Sequence, residues 1–210
     1  MSQTTDINAI GNPEVMKFVA ISSIAADLHA VLKVAWEVSL AAKNARVMSA
    51  QAGDVARGFQ PITDFIDEIA SRAIKGVNEI DQEALELAQL TVKEFRAVNA
   101  RNRFTRVINE GSDAQYIQSL ATGMSRVNDD LQKTSDEIRT RTNMLLLLLR
   151  EMEECMVSAK AIASVSCIVV ANSGEYKDKL GSVSDSLRDA AGYIHGKVTD
   201  SYKLLDQIKA

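Results

Sequence analysis

Acid–base, metal or thiol chemistry in this sequence would have to come from two histidines, His29 and His195, two cysteines, Cys155 and Cys167, and the carboxylate pairs Asp129-Asp130 and Glu153-Glu154. None of these is spaced for it. Adjacent carboxylates on a helix diverge, because residues three and four apart share a face and immediate neighbours do not. The cysteines are twelve apart. Along one helix that is roughly 18 Å, beyond what a disulfide can bridge, so both read as small core residues. The histidines sit in helical contexts that suit exposed or half-buried positions better than ligation. No Glu-x-x-His pair, phosphate loop, nucleophile elbow or Cys-x-x-Cys is present. Gly53-Asp54-Val55-Ala56-Arg57-Gly58 follows a helix, so it is a reversal and not a phosphate cradle. The sequence predicts no enzyme, no catalytic residue, no metal and no cofactor.

The elements that carry these residues follow from composition. The chain has 210 residues, 46% of them hydrophobic and 25% charged, which is enough to bury a core. Two prolines, ten glycines and 5% aromatics are too few for the turns and cores of a β-sandwich and suit long helices. The net charge of −4 is built from interspersed signs, which argues against nucleic acid as a partner. The one basic cluster, Arg101-Asn-Arg-Phe-Thr-Arg106, reads as a solvated helix end. The longest unbroken apolar run, Met144–Leu149, falls far short of the ~20 residues of a membrane span. The N-terminus has neither a basic start nor an apolar signal segment. These features predict a soluble, cytoplasmic protein with no membrane span.

Periodicity fixes the elements. Residues 1–11 have no period and are expected to be disordered. Asn12, Pro13 and Glu14 make a helix start as cap, first-turn proline and dipole partner. Apolar residues then recur at three and four, from Met16 and Val19 through Ile24, Leu28, Val31 and Val38 to Ala45 and Met48. Gly53 and Gly58 allow a tight reversal. Pro61 opens a second helix along Ile62, Phe65, Ile66, Ile69, Val77, Ile80, Leu85, Leu87 and Val92. After Asn109-Glu110-Gly111, Ser112 or Asp113 caps a third. Its seam, Leu120, Met124, Val127, Leu131, Thr134, Ile138, Arg141, Leu145 and onward to Val169, is a sustained heptad. Around Leu145–Leu149 it is apolar on every side and expected to be covered all round. Asn172-Ser173-Gly174 ends it, and a fourth helix carries Leu180, Val183, Leu187, Ile194, Val198 and Leu205. The expectation is a single elongated domain, 12–210, with helices over about 13–52, 58–108, 113–172 and 177–208.

The two hairpins read as a degenerate repeat. Gln51-Ala52-Gly53-Asp54 and Asn172-Ser173-Gly174-Glu175 both end a long helix. Asp64 and Asp185 follow at one offset, then Ile66 and Leu187, then Ala70 and Ala191. This predicts both reversals at one end of an up-down-up-down bundle, a rod roughly 60 to 80 Å long at 1.5 Å per residue.

From Ala35 to Ala70 the sequence also resembles, without a gap, the hairpin tip of the methyl-accepting chemotaxis proteins, the bacterial chemoreceptors. The matching residues are Trp36, Leu40, Ala42, Asn44, Ala45, Val47, Ala50, Ala52, Gly53, Asp54, Arg57, Gly58, Phe59 and Ala70. The resemblance implies an all-α fold: a long antiparallel four-helix bundle, or coiled coil, made of two helical hairpins. One chain would imitate the receptor dimer, as a monomeric pseudo-dimer, although coiled-coil seams also pair between chains and leave a homodimer open. It implies signalling or scaffolding through a partner-binding tip of Trp36, Leu40, Asn44, Val47, Asp54, Arg57 and Phe59. The partners implied are the chemotaxis histidine kinase, its coupling protein, or chemoreceptors.

The chain departs from the family at Lys43, Met48 and Gln51, which stand for a leucine, a glutamate and an arginine. An unpaired ammonium at position 43 in an apolar contact would weaken receptor-type trimers. The sequence predicts no methylation site, no sensor domain and no membrane anchor. Two other readings follow from the same residues. One is a purely structural or interaction bundle. The other is a pore-forming bundle built on Met144–Ala171, opposed by Arg150, Glu151, Glu153, Glu154 and Lys160 within that stretch.

Overall fold

The computed structural model of the chain describes residues 13–111 and 119–209. The expected disordered N-terminus, the Asn12 cap and the Ser112 or Asp113 cap lie outside the described residues. Four α-helices account for nearly all of the rest: α1 Pro13–Ala52, α2 Gln60–Glu110, α3 Ser119–Val170 and α4 Lys177–Lys209. Short 3₁₀ turns, Gly53–Phe59 and Gly174–Tyr176, join α1 to α2 and α3 to α4. The fold is all-α, as the few breakers and the period of three and four require.

Each helix packs on two neighbours in a closed ring, α1 on α2, α2 on α3, α3 on α4 and α4 back on α1. The core runs along the ring's axis through Ile24, Leu28, Val31 and Ala42 of α1, and Ile66, Val77 and Ile80 of α2. Leu145, Leu149 and Ala163 of α3, with Leu180, Leu187 and Val198 of α4, complete it. Small residues recur in this core because close-packed helices leave little volume between their backbones. Four of its hydroxyls are satisfied within their own helix. Thr91, Thr142, Ser166 and Ser201 each donate to the carbonyl four residues earlier, so burial leaves no orphaned donor at those sites.

Several expectations need correction. Seam positions Met16, Val19, Phe65, Leu85 and Val92 are exposed. A straight helix drifts against a strict heptad, so Ala20 and Ile21 take the inward position near the start of α1, and Ala84 and Leu87 take it in α2. The run Met144–Leu149 is not covered all round. Leu145 and Leu149 are buried, while Met144 and Leu147 face out, because a ring of four leaves each helix an outer side. Cys155 is core, but Cys167 is exposed. Arg141 interrupts the seam by leaning out to α2, where its guanidinium donates to both Glu83 oxygens at 2.9 and 3.0 Å and pairs with Glu86 at 2.6 Å.

One stretch near the start of the Pro13–Glu110 segment has a mean hydropathy of 1.6 over 18 residues and is only 28% buried, so it is long and apolar enough to cross a membrane by length and composition. From Val15 to Leu32 the charged residues are Lys17 and Asp27. Both are paired, with Glu94 at 3.9 Å and Lys197 at 2.6 Å.

The repeat has a structural counterpart. Gly53 and Gly174 both hold positive φ, 60° and 56°. Ile66 and Leu187 are buried at the same offset, as are Ala70 and Ala191. The reversals also meet: a Cβ built on Gly58 would lie 3.3 Å from Val169, and one on Gly174 would lie 3.2 Å from Val55. Both tips therefore occupy one end of the bundle.

Candidate partner-docking face

The tip is built by a left-handed glycine. Gly53 turns the chain out of α1, and the four residues Asp54 to Arg57 carry it back to Gly58 and Phe59. Inside the loop, Ser49 Oγ donates to the Ala56 carbonyl at 2.6 Å, and both residues are buried. Outside it, Arg57 pairs with Asp54 at 2.9 Å, with both side chains largely in water. Such an exposed pair shapes the surface more than it stabilises it.

Phe59 is the correction among the residues expected to bind a partner. It has no exposed surface and heads the fully buried side chains by volume. It directly precedes α2 and is part of the core beneath the tip, so it offers no surface to a partner. The other six residues, Trp36, Leu40, Asn44, Val47, Asp54 and Arg57, are exposed. Trp36, Leu40 and Val47 are 59%, 61% and 57% exposed. Spacings of four and seven put them on one side of α1, opposite the buried Ala35, Val38, Ala42 and Ala45. Asn44 stands beside this stripe, and Val55 extends its apolar surface onto the reversal.

Polar contacts flank the stripe on the side of α2. Ser39 donates to Asp67 at 2.7 Å, Lys43 pairs with the same carboxylate at 3.9 Å, and Arg46 pairs with Asp64 at 3.1 Å. Lys43 is thus exposed and paired in the isolated chain. Asp64 reaches across to α1, whereas its repeat counterpart Asp185 pairs with Arg188 on its own helix at 2.7 Å.

Sequence reasoning missed a second apolar surface. A groove of about 780 Å³ runs between α1 and α2 towards the other end, lined by Phe18, Ile21, Ala25, Leu85, Ala88 and Val92. His29 and Asp81 stand 3.6 Å apart beside it. The signal was available in the phase of Phe18, which is Trp36's phase and not the seam's. Leu85 gave none, because its neighbours Ala84 and Leu87 fit the seam equally well.

Groups with perturbed protonation lie elsewhere and have structural causes. Burial and a hydrogen bond to Glu153 push the Tyr202 phenol up to about 12. Its hydrogen bond to Asp27 holds the Lys197 ammonium above its ordinary range, and burial raises the Cys155 thiol. Among the described residues no group of His, Cys, Asp and Glu could hold a metal ion. The arrangement offers an apolar stripe with polar edges, which is chemistry for binding a protein surface. No protein-family model, curated protein or solved structure matches the chain.

Proposed function

We propose that this protein is a helical signalling scaffold that docks a chemotaxis-type protein partner along the tip half of α1. The observation that carries the reading is the exposed stripe of Trp36, Leu40 and Val47. A lone exposed apolar residue is ordinary, but a tryptophan, a leucine and a valine aligned over three helical turns mark an interaction surface. Tryptophan in particular anchors protein interfaces. Asn44, Asp54 and Arg57 supply a polar rim. The chemotaxis coupling protein or its histidine kinase is the proposed partner because the stripe coincides with the segment that resembles the receptor tip. The work of the protein is binding and not catalysis.

The test is a titration of the purified protein against the coupling protein of its own organism, with a Trp36→Ala, Leu40→Ala, Val47→Ala variant beside it. Micromolar binding that disappears in a variant of unchanged helicity supports the proposal. Failure of the unmodified protein to bind either the coupling protein or the kinase removes the chemotaxis partner.

A second reading, insertion of α1 into lipid, is favoured by the apolar stretch that is only 28% buried. It requires breaking the Asp27–Lys197 and Lys17–Glu94 pairs. Retention of dye by anionic vesicles across a range of pH would eliminate it.

A further inference from the structure

We propose that copies of this chain associate side by side into a row of parallel rods, in which the Trp36 stripe of one copy packs on a second exposed stripe, along α3, of the next. The second stripe is Val157, Ala161, Val165 and Ile168, all exposed. Spacings of four, four and three put them on one side of α3, opposite the buried Ala159, Ala163 and Ser166. Ile168, at 69%, is more exposed than any apolar member of the first stripe.

The repeat relates the two stripes. Gly53 and Gly174 stand 121 residues apart, and the same offset carries Trp36 to Val157, Leu40 to Ala161 and Val47 to Ile168. A repeated core serves folding. A repeated exposed apolar stripe does not, and it marks an interface. α1 and α3 sit across the ring from one another, so the stripes face opposite ways. Both run towards the reversals. Their tip ends, Val47 and Ile168, stand roughly 51 Å along α1 from Pro13 and roughly 73 Å along α3 from Ser119. The residues before Pro13 could span at most ~43 Å fully extended, and those between α2 and α3 at most ~25 Å.

Size and charge identify the occupant as a second copy. In rods that point the same way and lie level, each α1 residue meets the α3 residue at the repeat offset. The bulky Trp36 and Leu40 then meet the smaller Val157 and Ala161. Lys33 meets Glu154, and Glu37 comes within one helical turn of Lys160. Glu37 and Lys160 also stand on the same edge of the contact, towards α4. Lys160 is seven residues from both Glu153 and Cys167, which bond to α4, and Glu37 lies away from Ser39 and Lys43, which bond to α2. Glu154 and Lys160 have no ion-pair partner among the described residues, and Lys33 and Glu37 have only each other, at 3.9 Å in open water. Opposite charges brought level select this pairing and register. A like-with-like contact in the same direction would set Lys33 against Lys33 or Glu154 against Glu154. Because the joined faces differ and lie on opposite sides, the contact is heterologous and does not close. The row consumes Trp36, so it leaves the docking stripe open only on its last member.

The experiment uses the full chain, reduced and with no other protein present. Light scattering should give a mass that climbs with concentration past twice the 22.9 kDa of one chain. Leu40→Arg blocks the first stripe and Ala161→Arg the second, both at exposed positions. Each variant alone is expected to stay monomeric with unchanged helicity. Their equimolar mixture is expected to form a dimer and stop there, because each supplies the stripe that the other lacks. Lys33→Glu should weaken the association about two- to fivefold, and adding Glu154→Lys should restore it; this pair still decides if an arginine variant unfolds. A monomer at all concentrations overturns the proposal. So does a parent that stops at a dimer, an arginine variant that still associates with itself, or a mixture that stays monomeric. A coupling protein that fails to bind leaves all of these masses unchanged, so the row and the chemotaxis reading stand or fall separately.

Discussion

Ser49 and Ala56 are tied across the first reversal by a buried hydrogen bond of 2.6 Å, from the serine hydroxyl to the alanine carbonyl. The contact joins the last turn of α1 to the middle of the loop, so the shape of the tip depends on one small side chain. Ser49→Ala leaves a buried carbonyl without its side-chain donor and should cost about 1–2 kcal/mol. Chemical denaturation of the variant, with an unchanged slope, would measure it. A loss too small to resolve would show that the loop backbone holds itself.

The two tip glycines should differ in tolerance. Gly53 has open space where a Cβ would go, so Gly53→Ala carries only the left-handed backbone penalty of about 1–2 kcal/mol. Gly174→Ala carries the same penalty and also sets a methyl 3.2 Å from Val55. The second substitution is expected to lower the thermal midpoint more than the first, and Val55→Ala should recover part of the difference.

Phe59 separates folding from docking. Phe59→Ala empties the core beneath the tip and is expected to cost about 3–5 kcal/mol. Trp36→Ala on the exposed stripe should stay within about 0.5 kcal/mol of the parent. A partner that loses affinity for the tryptophan variant is responding to a lost contact. One that loses affinity only for the phenylalanine variant is responding to a damaged fold.

The cysteines offer a readout of the same core. Cys167 is exposed and should react with a thiol reagent in the native protein. Cys155 is buried, and burial also raises its thiol pKa, so it should react only as fast as the bundle opens. Two equal fast phases would mean that α3 does not pack as described.

Tyr202 predicts an alkaline limit. Its phenol, held to about 12 against the usual 10.0, is favoured in the neutral form by the fold. That contribution is complete below the unfolded pKa and is lost as the pH rises from there towards 12. Tyr202→Phe should remove this component of the alkaline stability loss. A difference titration of phenolate absorbance between parent and variant would place the ionisation.

The sequence carried the helices clearly and their outer faces poorly. Gly53 and Gly174 marked both reversals, because a positive φ has few residues to serve it. Leu28 and Val77 were legible as core because their neighbours on either side were polar or small. Phe59 was misread. A motif supplies a residue's neighbours in sequence, but the direction of a side chain at a reversal is set by backbone angles such as the φ of −120° at Ala56. Leu147 and Leu85 were misread for another reason. Where apolar residues are adjacent, periodicity does not say which one turns inward, and the choice falls to the packing of the helix opposite.

The Asp27–Lys197 pair joins residues 170 positions apart and closes the ring of helices. Synthesis on the ribosome is vectorial, so α1 and α2 emerge long before α4 exists. Through that interval Ile24, Leu28 and Val31 have no fourth wall, and the nascent hairpin presents an oily strip to the cell. At ~5–20 residues per second the wait lasts on the order of ten seconds. The stretch of chain that is most apolar when finished is also the one longest unprotected while being made.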